Sequence, residues 1–150
     1  MSNHHGVNVA ECSLAVRLQS PLLIACTKIL TDISSNSGVE RGKAMKIGMV
    51  IYSNDPETVW NAFRFGNHAL EYGDEVKVFL LAKGVECESL DTDEFKVTEQ
   101  VRSFVDGGGK ILACGTCLEV RQSKGSKTCP LSTLRDLYEI VKESDRVLTF

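Results

Sequence analysis

The sequence predicts a single three-layer α/β domain over residues 45–150, with a mainly parallel sheet flanked by helices. An irregular or helical N-terminal extension, residues 1–44, precedes it. Three observations carry this reading. Short apolar runs of strand length recur without polar alternation, as in strands covered on both faces. Between them, apolar residues fall at helical spacing. Strands and helices alternate along the chain, which calls for right-handed crossovers and a parallel sheet.

The first strand spans residues 47–52, Ile-Gly-Met-Val-Ile-Tyr. Ser53-Asn54-Asp55-Pro56 then supplies a capping side chain followed by proline, a standard helix entry. Val59, Ala62, Phe63, Gly66, Ala69 and Leu70 share one face of the helix that follows. Gly66 on that face admits a close approach to the sheet, and Gly73 ends the helix. Residues 76–81 form the second strand, and residues 83–87 a loop leading into an acidic stretch, 88–94.

Val97, Val101, Phe104 and Val105 mark the second helix, closed by Gly107-Gly108-Gly109. Because these glycines precede a strand, they read as a helix cap and turn rather than a phosphate cradle. Residues 110–113 are the third strand, ending at Cys114-Gly115-Thr116-Cys117. A polar loop, 122–127, leads to Cys129-Pro130, and Leu134, Leu137, Tyr138 and Val141 mark a third helix. Residues 146–150 close the chain as the last strand.

Composition agrees with one ordinary domain. The 150 residues are 43% hydrophobic and 25% charged, and a net charge of −3 leaves no basic footprint for nucleic acid. No apolar run approaches the roughly 20 residues of a membrane span. Six cysteines are too few for a disulfide scaffold, and no secretory signal is evident, so they read as reduced thiols.

Residues 1–44 differ in character. Residues 33–38 resemble a linker, residues 14–30 are mostly apolar around Pro21, and His4-His5 reads as coincidence rather than a metal site. Residues 23–26, ending in Cys26, are a poor match to a lipoprotein cleavage box because the apolar run is short and its leader polar. A clean strand begins at Met45, and Glu40-Arg41-Gly42 fits a purine-rich coding stretch such as precedes a start codon. Met45 is therefore the expected natural start, with Cys12 and Cys26 set aside.

In open parallel sheets, sites form beyond the carboxyl ends of the strands. Three loops leave that edge: one with Ser53, Asn54 and Asp55, one over residues 83–87, and the Cys114-Gly115-Thr116-Cys117 turn. The Cys-x-x-Cys spacing permits a nucleophilic first thiol, an internal disulfide, or half of a metal site. Metal needs two further ligands, and Cys87, Cys129 and His68 are the available ones; no metal is expected. The plain alternative makes Cys114 a small hydrophobe at a strand end.

Cys87 divides evenly between participant and bystander, and Cys129, beside Pro130 at a helix start, reads as bystander. Glu86 serves a ligand or thiol, or is simply a solvated carboxylate. His68 reads as a surface histidine. Trp60 and Phe65 fall off the core stripe and are candidates for a subunit interface. Lys124 and Lys127 keep their loop solvated or attract an anion.

The segments at residues 46–57, 60–65 and 79–86, together with Ala113-Cys114-Gly115-Thr116-Cys117-Leu118, resemble the DsrE/DsrF-like family, which has the YchN-like fold. The resemblance covers about residues 45–150. It implies a small cytoplasmic α/β protein, a homo-oligomer (trimer or hexamer), with sulfur donor and acceptor proteins as partners and no cofactor. It also implies a strand-end cysteine that accepts sulfane sulfur as a persulfide, which corresponds to Cys114, with Arg121 following. Cys117 falls where many members have no cysteine, which leaves room for disulfide exchange.

The leading expectation is therefore a sulfur-relay protein, possessing sulfurtransferase activity at Cys114 with Cys117 as resolving thiol. Asn54, Glu86, Cys87, Gly115, Thr116 and Arg121 are expected to line the substrate site. The rivals are a dithiol/disulfide oxidoreductase and a non-catalytic oligomer that binds a ligand or metal at the same edge.

Overall fold

A computed structural model describes residues 43–150. The expectations for His4-His5, the linker, the apolar stretch, Cys12, Cys26 and most of the extension lie outside the described residues. Five strands form one all-parallel sheet in the order β4-β3-β2-β1-β5: β1 Lys46–Ile51, β2 Glu75–Leu80, β3 Lys110–Cys114, β4 Leu131–Ser132 and β5 Arg146–Thr149. Four helices connect them: α1 Pro56–Glu71, α2 Val97–Asp106, α3 Gly115–Val120 and α4 Leu134–Glu143. A 3-10 segment, Ala82–Ser89, follows β2 where a loop was expected.

Alternation along the strands divides the sheet into two unequal faces. Ile47, Met49, Ile51, Val76, Val78, Leu80, Ile111 and Ala113 are buried in the main core with Phe63 of α1 and Phe104 of α2. The rings of Phe63 and Phe104 meet edge to face with centroids 5.6 Å apart, the arrangement their quadrupoles favour. A second, smaller cluster joins Phe79, Cys114 and Ile140, with Leu112, Cys117 and Leu137 against it. Ten-residue α4 is the helix that packs on this second cluster.

The local signals explain the elements. Asp55 caps α1 by accepting from the Thr58 backbone N–H at 2.8 Å, with Pro56 in the first turn. A Cβ on Gly66 would lie 2.8 Å from the Phe104 ring and 3.4 Å from the Met49 sulfur, so glycine there sets how closely α1 meets both α2 and β1. Gly107 caps α2 and Gly108 takes φ +91°, the turn read from the triple glycine. Thr133 and Asp136 form a reciprocal capping box on α4.

Three expectations need correction. Trp60 is not off the core: half-buried, it packs against the main cluster, meets Phe95 edge to face at 5.6 Å, and carries the Arg64 guanidinium 4.3 Å from its ring. Cys129-Pro130 is not a helix start, because Thr133 caps α4 and Pro130 leads into β4. The apolar stripe of the last helix is also only partly inward. Ile140 is buried and Leu137 half-buried, whereas Leu134, Tyr138 and Val141 face out.

Candidate functional site

The site lies at the carboxyl edge of the sheet, where segments after β1, β2 and β3 come together. Cys114 is the last residue of β3 and caps α3, so the Cys114-Gly115-Thr116-Cys117 segment turns directly from strand into helix. Beside it, β4 pairs Ser132 with Cys114. A Cβ on Gly115 would sit 3.2 Å from both the Leu131 side chain and the Ser132 carbonyl oxygen. A small residue is therefore needed where the turn passes β4.

Cys114 is 4% exposed, packed against Phe79 and Ile140. It nevertheless forms part of the wall of an open cleft of about 810 Å³, together with Gly115, Thr116, Glu119, Ser132 and Leu134. Gln122, Ser123 and Lys124 close the same cleft from the loop after α3. Its size suits a small ligand or the tip of a partner's loop.

Cys117 sits in the first turns of α3, half-buried, with its Sγ accepting the Ala82 backbone N–H at 3.2 Å. Ala82 adopts φ +48°, unusual for a residue bearing a Cβ. Burial first, then the neighbouring Cys114 thiol, push the Cys117 thiol above its ordinary value, against the lowering effects of the Ala82 N–H and the Arg121 charge. At neutral pH Cys117 is therefore held as a thiol.

A polar network braces this turn from behind. Arg121, the C-terminal cap of α3, donates from Nη1 to the Cys117 carbonyl oxygen at 3.1 Å and from Nε to Glu86 Oε1. Asn54 Nδ2 donates to the other Glu86 oxygen at 3.4 Å. The Arg121 hydrogen bond holds the Glu86 carboxyl below its ordinary range. Asn54, Glu86 and Arg121, from three different loops, thus form one chain of bonds ending on Cys117.

Of the six residues expected to line the substrate site, Gly115 and Thr116 stand in the wall of the Cys114 cleft, whereas Asn54, Glu86, Cys87 and Arg121 do not. Arg121 lies with Glu86 and Ser123 along a separate depression and does not line the Cys114 cleft. Its Nε and Nη1 donate to Glu86 and to the Cys117 carbonyl oxygen, so it braces the turn. Cys87 does not reach the edge either: it is 0% exposed, in the core, with its Sγ 3.9 Å from that of Cys129.

His68 lies on α1, largely exposed beside Glu71 and Tyr72, away from the cysteines. Among the described residues no group of three or more His, Cys, Asp or Glu is disposed to hold a metal ion. No helix among them is long and apolar enough to cross a membrane. Ala82 escaped the sequence reading because its contribution is a backbone N–H, which leaves no side-chain signature. Ser132 escaped because a two-residue strand is too short to show a period.

A sequence profile described as the DsrE/DsrF-like family matches residues 45–150. An uncharacterized protein of Methanocaldococcus jannaschii is 34% identical over 100 residues, covering 63% of this chain and 88% of its own. Another, of Methanopyrus kandleri, is 34% identical over 110 residues, covering 67% of this chain and 91% of its own. Among solved structures, the YchN protein of E. coli matches with a TM-score of 0.64 at 20% identity, over 71% of this chain and 99% of that one. At that identity the likeness is one of fold.

Proposed function

The chain belongs to the DsrE/DsrF-like family, which is associated with sulfur relay, and on that premise we propose that Cys114 accepts sulfane sulfur and passes it to a partner thiol. The observation that carries this reading is the position of Cys114. It ends a central strand, stands in the wall of an open cleft and has a second thiol one helical turn away.

The chemistry is thiol exchange. The Cys114 thiolate attacks the terminal sulfur of a donor persulfide, the donor's inner sulfur leaves as thiolate, and Cys114–S–S⁻ forms. An acceptor thiolate then takes the outer sulfur and returns Cys114 to thiolate. Neither step needs an outside oxidant or reductant. Residues Gly115 and Thr116 shape the mouth through which donor and acceptor enter.

Cys117 sets the lifetime of the intermediate. Its thiolate can attack the Cys114 sulfur of the persulfide, expel hydrosulfide and close a Cys114–Cys117 disulfide. Because burial and the neighbouring thiol keep Cys117 protonated at neutral pH, that discharge is slow and the persulfide survives to meet an acceptor. The closeness of the two thiols also favours a second reading, a dithiol/disulfide oxidoreductase, in which the disulfide itself is the working state.

The two readings separate in one experiment. Reduced wild-type, Cys114→Ser and Cys117→Ser proteins are incubated with a sulfane donor, and intact masses are measured. A gain of one sulfur atom on wild type and Cys117→Ser, absent on Cys114→Ser, supports the carrier. Equal loading of Cys114→Ser overturns it. No loading anywhere, with wild type losing two more hydrogens than either variant on mild oxidation, favours the dithiol enzyme.

The family also suggests self-association, and the exposed apolar stripe of α4 is the surface we assign to it. A second copy docked there would lie beside the Cys114 cleft, whose wall includes Leu131 and Leu134.

A further inference from the structure

Behind the candidate site, a second pair of thiols faces itself in the core. Cys87 of the 3-10 segment and Cys129 before β4 lie 42 positions apart in sequence, and their Sγ atoms are 3.9 Å apart. They are 0% and 3% exposed, and both are free thiols. We propose that Cys87 and Cys129 are a latent dithiol site that closes to a disulfide and staples the 3-10 segment to the strand beside Cys114. The proposal does not depend on the sulfur-relay reading.

Closure asks for little movement. The sulfurs must approach from 3.9 Å to a bonded distance of about 2 Å. Neither thiol sits inside the regular part of the sheet. Cys87 is in a 3-10 segment, where hydrogen-bond geometry is poorer than in an α-helix. Cys129 ends a turn held by its own bonds, Cys129 N–H to Ser126 Oγ at 2.9 Å and Ser126 N–H to the Cys129 carbonyl at 3.2 Å. That turn can open without breaking a strand ladder, which makes Cys129 the point of entry.

The oxidant is a small-molecule disulfide. On opening, the Cys129 thiol loses its proton and attacks one sulfur of the disulfide, releasing one small thiolate and leaving a mixed disulfide on Cys129. The Cys87 thiol then gives up its proton and attacks the Cys129 sulfur, releasing the second small thiolate. Two protein thiols are oxidised by two electrons, one small disulfide is reduced, and both protons end on the released thiols. In the closed fold Cys87 is held firmly as a thiol by the Cys129 thiol beside it and by burial, so the pair stays reduced until the turn opens.

The consequence falls on the site in front. The 3-10 segment carries Ala82, which donates to Cys117, and Glu86, which holds Arg121. The turn before β4 follows the loop that lines the Cys114 cleft. A Cys87–Cys129 bond would tie these two supports together.

The test uses the full chain carrying Cys114→Ser and Cys117→Ser, oxidised under native conditions with glutathione disulfide, with wild type treated in parallel. Remaining thiols are alkylated, and peptides are mapped without reduction. The expected result is a linked peptide pair containing Cys87 and Cys129, with a thermal midpoint raised by roughly 5–15 °C that reverts on reduction. In a Cys129→Ala version of the same chain, Cys87 should remain free of glutathione. Recovery of Cys87 and Cys129 as alkylated thiols, while wild type in the same experiment links Cys114 to Cys117, overturns the site. A linked pair without any rise in midpoint overturns the staple.

Discussion

The backbone N–H of Ala82 points at the Sγ of Cys117 from 3.2 Å, and Ala82 holds φ +48° in doing so. Left-handed backbone costs a residue with a Cβ roughly 1–2 kcal/mol, and strain of this kind concentrates where a site needs one orientation. Ala82→Gly should therefore raise stability by about 0.5–1 kcal/mol, and Ala82→Val should lower it by about 1–2 kcal/mol. Urea unfolding of the three proteins checks this, and a valine variant as stable as wild type would refute it.

Cys117 offers a reading of the same contact through pH. Its thiol is raised above the ordinary 9.0, so the fold favours the neutral form. Stability linked to that group is complete below the ordinary value and is lost as pH rises through the raised one. Alkylation of Cys117 by iodoacetamide should accordingly be slow at pH 7, with its inflection above 9.0. An inflection well below that value would mean Cys117, not Cys114, is the primed nucleophile.

Glu86 titrates with the opposite sign. Arg121 holds its carboxyl below the ordinary 4.5, so its contribution is present above 4.5 and is lost as pH falls through the lowered native value. Asp55, Asp91, Asp136 and Glu143 are lowered by their own partners and add to the same acid slope. Glu86→Gln should make the loss of stability below pH 4.5 less steep without abolishing it. Thermal midpoints from pH 6 to pH 3 give the comparison, and identical slopes would mean that Arg121 does not hold Glu86 in solution.

Gly84 fixes the distance between the 3-10 segment and β1. A Cβ there would lie 2.1 Å from the Ile51 carbonyl oxygen, which already accepts the Leu81 N–H at 2.9 Å. Backbone cannot yield as a side-chain tip does, so Gly84→Ala should destabilise by about 2–3 kcal/mol. It should also move the pH inflection of Cys117 alkylation upward, as the Ala82 N–H that favours the thiolate moves off. An alanine variant with wild-type urea midpoint and wild-type alkylation would show that the segment tolerates displacement.

The sequence and the structure agree most closely where one physical signal dominates. The strands at residues 47–52 and 76–81 and the first two helices follow from apolar periodicity and from the Asp55-Pro56 entry, and they stand within a residue or two of expectation. The convergence of Asn54, Glu86 and the Cys-x-x-Cys turn followed from parallel topology alone. What was not legible depends on contacts between distant residues. Cys87 and Arg121 sit on the expected loops, yet their side chains turn to Cys129 and Glu86. A loop's place at a sheet edge does not say which way its side chains point.

The last helix shows the same limit, and its outer stripe carries the final prediction. Leu134, Tyr138 and Val141 follow i, i+4, i+7 spacing and are 64%, 63% and 48% exposed, with Leu131 of β4 60% exposed nearby. Helical periodicity identified the helix but could not tell an inward stripe from an outward one, because both are apolar. An exposed apolar stripe of this kind is the surface a second copy would cover. The wild-type chain should therefore be larger than a monomer by light scattering, and Tyr138→Lys with Val141→Lys should shift it toward monomer while its circular dichroism stays unchanged. Cys114 loading in the double variant then tells whether the neighbouring copy matters for the cleft, since Leu131 and Leu134 belong to both surfaces. A monomeric wild type, or an unchanged mass in the variant, would remove α4 as the interface.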